Sequence, residues 1–105
     1  LGGLPARKQE AREAIVTPIS ESTASFYLRL YAKDKPGVLA AVAAALGRRG
    51  ISIATIHQGD ASGPIGVSII LTTHPTTEGQ FRRALREILT LKTIARRHTV
   101  LRLFP

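Results

Sequence analysis

The side chains that could support catalysis are few in this sequence, and their spacing does not bring them together. His57, His74 and His98 are spread along the chain, and none has a carboxylate neighbour at the spacing of a metal site or a catalytic triad. There are no cysteines, which excludes a disulfide scaffold, a thiol nucleophile and thiolate metal ligands. No glycine-rich phosphate loop precedes a predicted helix. We therefore expect no catalytic residue, no metal and no cofactor in this chain.

A more informative group of residues lies at the mouth of a predicted helix, where the sequence reads KDKPGVLAAVAAALGRRGISI over residues 33–53. Apolar residues recur there at helical spacing, which predicts a helix over residues 36–49. Asp34 is placed to cap its start and Pro36 suits its first turn. Gly50 can adopt the left-handed conformation that ends a helix. Asp34, Pro36 and Gly37 thus stand together where backbone donors are exposed.

The remaining elements follow from alternation, turn formers and capping patterns. Residues 25–33 alternate, so that Phe26 and Leu28 share a buried face while Tyr27 and Arg29 share the other. Further strands are predicted at residues 51–58, 65–74 and 98–104, with a turn at 59–64 and a capping box from Thr77 to Gln80 before a second helix. The third strand is expected in the centre of the sheet, covered along part of its length on both faces.

The predicted order is β-α-β-β-α-β, which is the ferredoxin-like α+β sandwich: a four-stranded antiparallel sheet with two helices on one face. Residues 1–24 lack apolar periodicity and are predicted to be a partly ordered linker, followed by one domain over residues 25–105. No apolar run approaches the roughly 20 residues of a membrane span, and no signal peptide is evident, so we expect a cytoplasmic protein. The chain starts at Leu1 and contains no Met, which is expected for a piece of a longer polypeptide and equally for a processed chain.

The net charge of +8, from 15 Lys+Arg against 7 Asp+Glu, raises the question of nucleic acid. The basic residues are expected to be scattered and not to form one stripe: Arg48 and Arg49 at the end of one helix, Arg82, Arg83 and Arg86 on another, and Lys92, Arg96 and Arg97 in a connecting turn. An RNA-binding sheet would use Tyr27 and Tyr31 to stack bases, but the third strand has no aromatic residue. We expect only weak, sequence-blind binding of nucleic acid.

The stretch YLRLYAKDKPGVLAAVAAAL, continued by RRGISIATIHQGD and VSIILTTHPTTEGQFRRALREI, resembles an ACT domain, a small ligand-sensing module of amino-acid metabolism. The resemblance covers about residues 25–104. More narrowly, the chain is similar to the C-terminal ACT domain of homoserine dehydrogenases. Those enzymes reduce aspartate semialdehyde with a nicotinamide cofactor and are commonly inhibited by threonine. The resemblance implies an NAD(P)-dependent parent enzyme, whereas this fragment lacks the catalytic domains.

The resemblance also implies an effector pocket at the first strand-to-helix turn. The residues implicated are Asp34, Lys35, Pro36, Gly37, Val38, Leu39 and Gln58. Helix amides would hold a ligand carboxylate, with Gly37 allowing close approach. Asp34 would meet the ammonium group, and Gln58 a side-chain hydroxyl.

The partners implied are an amino-acid effector such as threonine, a second copy bound through the sheets, and the rest of the parent enzyme. Two alternatives stay open: a dimerisation module without an effector and, with less support, an RNA-binding module.

Overall fold

The computed structural model describes residues 21–62 and 66–103. Seven elements follow one another along them: β1 (Thr23–Ala32), α1 (Val38–Arg48), β2 (Ile53–Ser62), β3 (Gly66–Thr73), β4 (Thr76–Thr77), α2 (Glu78–Leu89) and β5 (Ile94–Leu103). The predicted element order is confirmed, with the two-residue β4 as an addition that the sequence analysis missed. Most of the predicted linker, at residues 1–20, lies outside the described residues.

The four long strands form one antiparallel sheet in the order β2-β3-β1-β5. The short β4 follows a bend after β3 and pairs with the start of β1, where Thr23 lies opposite Thr77. The backbone N–H of Phe26 donates to the buried Oγ1 of Thr73 at 3.1 Å, close to this bend. The ferredoxin-like α+β fold is therefore confirmed.

The core lies between the helices and one face of the sheet. The alternation of β1 places Phe26, Leu28, Leu30 and Ala32 in this core, as predicted. Helix α1 contributes Val38, Val42, Ala45 and Leu46, and α2 contributes Phe81, Ala84 and Ile88. The rings of Phe26 and Phe81 stack with their centroids 4.2 Å apart, which joins β1 to α2. Both helices are held to the sheet by these apolar stripes.

Three sequence predictions about α1 need correction. Helix α1 begins at Val38, so Pro36 precedes the first turn instead of lying in it. The N-cap residue is Gly37 and no side chain caps it, so the predicted capping role of Asp34 is wrong. The reason is position, because a capping side chain must belong to the residue beside the first turn, and Asp34 lies three residues before Gly37. Leu39, predicted in the apolar stripe, is exposed.

The later elements differ from prediction in smaller ways. Strand β3 lies centrally, between β2 and β1, but its burial alternates, so only one face is fully packed. Strand β5 begins at Ile94, which places Arg96 and Arg97 in the strand and not in a turn. The pairing of β1 with β5 shifts register between Leu30, which lies opposite His98, and Ala32, which lies opposite Ile94. Arg96 and Arg97 lie in the extra length of β5 at this irregularity. Within the described ranges, no helix has the length and apolar character of a membrane span.

Candidate ligand-binding site

A cavity of about 210 Å³ opens where β1 ends and α1 begins. Its wall is formed by Ala32, Lys33, Lys35, Pro36, Gly37, Val38, Leu39, Gln58, Val67 and Ile69. The turn between β1 and α1 provides one side, and Gln58 of β2 with Val67 and Ile69 of β3 provides the other. The cavity thus brings together residues from three segments that are distant from one another in the sequence.

Local backbone geometry explains the turn. Gly37 has φ +86°, a left-handed conformation that residues with a Cβ adopt only with strain. A Cβ built on Gly37 would meet no atom within 4 Å, so its conformation, and not crowding within the chain, requires glycine here. The backbone N–H of Lys33 donates to the carbonyl of Thr93 at 2.9 Å, which ties the turn to the residue just before β5. This bond fixes the β1 end of the turn.

The start of α1 leaves backbone donors without partners. The first i to i−4 hydrogen bond of the helix runs from the N–H of Ala41 to the carbonyl of Gly37 at 2.9 Å. The N–H of Val38 makes only a long contact of 3.4 Å with the carbonyl of Lys35. No acceptor among the described residues is recorded for the N–H groups of Leu39 and Ala40, and the first turn carries no acidic residue. Such a helix start attracts anions through its N–H groups and its dipole.

The charged residues that line the cavity also favour an anionic ligand. Lys33 and Lys35 are the only charged residues among those that line it, and both are cationic. Their ammonium groups and the positive end of the helix dipole act in the same direction. The site is therefore suited to a small ligand that carries a carboxylate.

Gln58 enters the same cavity from β2. It pairs with Ile69 of β3, and both residues line the wall. The neighbouring His57 pairs with Ile70 and so points to the opposite face of the sheet. The register becomes irregular between Gln58 and Ala61, just beyond the cavity. Gln58 thus offers one side-chain amide to whatever occupies the site.

Of the seven residues implicated by the sequence, six line this cavity and one does not. Asp34 is exposed and absent from the wall, although it lies between Lys33 and Lys35, which both line the cavity. Four further residues line the cavity and were not predicted from the sequence: Ala32, Lys33, Val67 and Ile69. The pairing of β3 with β2 places Val67 and Ile69 there, and no local motif reveals that pairing. Lys33 is the last residue of the predicted first strand and adjoins Asp34, so it could have been included on its position.

The two tyrosines that could stack nucleic-acid bases are less favourable as a binding site. Tyr27 and Tyr31 lie on the open sheet face, as predicted, with Arg29 between them. Hydrogen bonding to Tyr31, with smaller contributions from Tyr27, raises the pKa of Arg29 above its ordinary value. The guanidinium carbon of Arg97 lies 5.6 Å from the ring centroid of Tyr31. Because this ring already faces an arginine of its own chain, it is less available for stacking a base.

Metal chemistry finds no support in the described part of the chain. No group of three or more His, Asp or Glu side chains comes together there in a way that could hold a metal ion. His57, His74 and His98 are all exposed. Among the described residues, the only hydrogen bond of these rings joins His98 Nδ1 to the carbonyl oxygen of Arg96 at 2.7 Å.

Comparison with known proteins gives one family and a consistent set of relatives. The model of the ACT domain family matches residues 26–93. A homoserine dehydrogenase from Methylobacillus glycogenes is 43% identical over 89 residues, which is 84% of this chain and 22% of the relative. One from Pseudomonas aeruginosa is 40% identical over 81 residues, 76% of this chain and 19% of the relative. The chain therefore spans about a fifth of the length of the curated relatives it matches.

Solved structures agree with the fold. A homoserine dehydrogenase from Thiobacillus denitrificans superposes with a TM-score of 0.74 at 34% identity, covering 84% of this chain and 19% of that one. The ACT domain of a GTP pyrophosphokinase from Chlorobium tepidum has a TM-score of 0.56 at 16% identity and covers 78% of this chain and 100% of that one. At that identity the second likeness concerns the fold alone.

Proposed function

This chain belongs to the ACT domain family, and we propose that it is the regulatory, amino-acid-binding domain of a homoserine dehydrogenase. The observation that carries the proposal is the cavity of about 210 Å³ at the start of α1, where unpartnered amides meet Lys33 and Lys35. In this proposal the longer protein is an NAD(P)-dependent oxidoreductase. Its cofactor and substrate would be bound outside this domain, which itself has no catalytic role.

The proposed effector is an amino acid of the pathway, with threonine as the first candidate. Its carboxylate would be held by the amides of Leu39 and Ala40, near Lys33 and Lys35. Its hydroxyl would lie near the side-chain amide of Gln58. An ammonium contact with Asp34 would require the turn to rearrange, because Asp34 does not line the cavity in this conformation. Asp34→Asn is therefore a separate test of that contact.

Isothermal titration of the chain with L-threonine and with L-2-aminobutyrate, which lacks the hydroxyl, tests this proposal. Gln58→Ala should weaken threonine about fivefold, because a lost hydrogen bond costs on the order of 1 kcal/mol, and should change the analogue less. The matched control is His57→Ala, one residue earlier on β2 and on the opposite face of the sheet.

Two results would contradict the assignment at different levels. Unchanged threonine affinity in folded Gln58→Ala would remove Gln58 from the site. No heat with any protein amino acid would leave dimerisation without an effector as the better account. If threonine does alter substrate affinity in the longer protein, substrate must alter threonine affinity by the same factor.

Self-association is the second part of the proposal. Strands β2 and β5 lie at the two edges of the long-stranded sheet. On β5, Leu101 is 52% exposed and Leu103 is 36% exposed, and both lie on the open sheet face. An edge strand with exposed apolar residues invites pairing with another chain. We expect a dimer in sedimentation velocity at ~100 µM, weakened by Leu101→Lys. A monomer at that concentration would refute this part of the proposal and leave the effector site untouched.

A further inference from the structure

The outer surface of the helix layer gathers arginines from distant parts of the sequence. Arg49, at the end of α1, lines a shallow groove of about 590 Å³ together with Arg83, Arg86, Glu87 and Thr90 of α2 and its end. We call these five residues the arginine groove. Arg48 joins its edge through an ion pair with Glu87. The sequence predicted scattered basic residues, and the structure brings those at the end of α1 beside those of α2.

Positive charge exceeds negative charge in the arginine groove. Glu87 is the only acidic residue among those that line it, and its carboxylate already pairs with Arg48 and lies 3.9 Å from Arg49. Arg83 makes a long contact of 3.4 Å with the side chain of Gln80. No hydrogen bond or ion pair is recorded for the Arg86 side chain among the described residues. The guanidinium groups of Arg83 and Arg86 therefore keep most of their donors for an outside partner.

We propose that the arginine groove docks a partner polypeptide that presents a run of acidic side chains. Guanidinium groups bind carboxylates through paired N–H donors, and a row of them along one helix matches a row of carboxylates. A second copy of this chain is a poor occupant, because the chain carries a net charge of +8 and would bring like charge to the surface.

Nucleic acid fits the arginine groove less well than an acidic polypeptide. None of its lining residues is aromatic, so bases would find no ring to stack on. This surface shares no lining residue with the cavity at the start of α1, so the inference stands whether or not an amino acid binds there.

Fluorescence anisotropy at ~50 mM salt tests the proposal, with a fluorescein-labelled ten-residue peptide of alternating Glu and Ala as the probe. The test variant is the double substitution Arg83→Gln with Arg86→Gln. The matched control is Arg96→Gln with Arg97→Gln, which removes the same charge from exposed residues of β5. We expect the test variant to bind the peptide roughly three- to tenfold more weakly, as loss of two solvated ion pairs predicts. The control should lose less than twofold, and both variants should unfold at nearly the wild-type temperature.

Three outcomes would overturn the proposal. Equal weakening in both double variants would show attraction to the overall charge and not to this groove. A larger effect of Arg83→Gln with Arg86→Gln on duplex DNA or tripolyphosphate than on the peptide would make the groove a phosphate site. No binding of the peptide by the wild-type chain at millimolar concentration would leave the arginines as solvated surface residues.

Discussion

Helices α1 and α2 pack on the same face of one sheet, yet their amino termini differ in chemistry. At α2, Thr77 Oγ1 accepts from the N–H of Gln80 at 3.2 Å, and the N–H of Glu78 donates to the carbonyl of Ser22 at 3.0 Å. Glu78 also provides negative charge in the first turn. At α1, the N-cap is Gly37, no side chain caps the helix, and the first turn has no acidic residue.

This difference separates a structural helix start from one that is available to a ligand. The carboxylate of Glu78 pairs with Arg82 at 2.7 Å and with Arg102 of β5 at 2.9 Å, so the closed start of α2 also fastens the helix to an edge strand. The open start of α1 faces a cavity lined by two lysines. A helix start whose donors are left unpaired next to a cationic cavity is the better candidate for binding an anion.

The largest effect should come from changing the residue that shapes the open start. Gly37→Ala places a Cβ on a backbone with φ +86°, which should lower the free energy of unfolding by about 1–2 kcal/mol. Chemical denaturation measures this value. Gly47→Ala is the matched control, because Gly47 lies inside α1 with ordinary φ and a Cβ there meets no atom within 4 Å. That control should stabilise by about 0.5–1 kcal/mol, and equal behaviour of the two variants would contradict the strained-turn account.

The capping difference between the two helix starts can be tested with two alanine substitutions. Thr77→Ala removes the acceptor for the Gln80 amide and should cost about 1 kcal/mol of stability. Asp34→Ala should change the free energy of unfolding by less than about 0.5 kcal/mol, because Asp34 is exposed and does not cap α1. A loss at Asp34 as large as that at Thr77 would restore Asp34 as a cap and contradict the geometry of the turn.

These helix starts also show what the sequence could predict. The Thr77 cap was predictable because all the information lies in four consecutive residues, and Thr77 bonds to Gln80 as expected. In a full capping box the side chain of Gln80 would also bond the backbone of Thr77. Here the Gln80 side chain instead accepts from Arg83 at 3.4 Å. The start of α1 was misplaced by two residues because Asp34 and Pro36 each match common capping patterns. Only the backbone conformation of Gly37 decides between them.

The candidate sites depend on contacts between residues that are distant in sequence, and fewer of their residues could be predicted from the sequence. Family resemblance implicated the turn and Gln58, and the structure brings Gln58 to the same cavity. Val67 and Ile69 could be identified only from the register of β3 against β2. The arginine groove was missed for the same reason, because Arg49 and Arg86 become neighbours only when α1 packs on α2. Local patterns therefore predicted the elements, whereas packing determines the surfaces.

The ion pairs at the closed start should have a smaller effect than its cap. Glu78→Gln removes the negative charge from the first turn of α2 and from its contacts with Arg82 and Arg102, and should cost roughly 0.5–1 kcal/mol. Glu87→Gln is the matched control, since it also removes a carboxylate that contacts two arginines, Arg48 and Arg49, but near the other end of α2, where the helix dipole disfavours a negative charge. Its cost should be below about 0.5 kcal/mol. Denaturation at low and high salt measures both, and the Glu78 effect should shrink as salt rises.

The smallest change in stability is also the sharpest test of the open start, because it gives α1 the acidic first turn that α2 already has. Ala40 is exposed in the third position of α1, where a glutamate can reach back towards the N-cap amide and complement the dipole. Ala40→Glu should therefore stabilise the fold by about 0.3–0.5 kcal/mol and weaken binding of a carboxylate ligand such as threonine. Ala44→Glu, one turn later on an exposed part of α1, provides the same charge without either effect. Unfolding and titration are measured on both variants.

If Ala40→Glu binds threonine as well as the wild-type chain does, the ligand carboxylate does not lie at the start of α1. If Ala44→Glu weakens binding equally, the effect is one of overall charge, and the two helix starts do not differ in function.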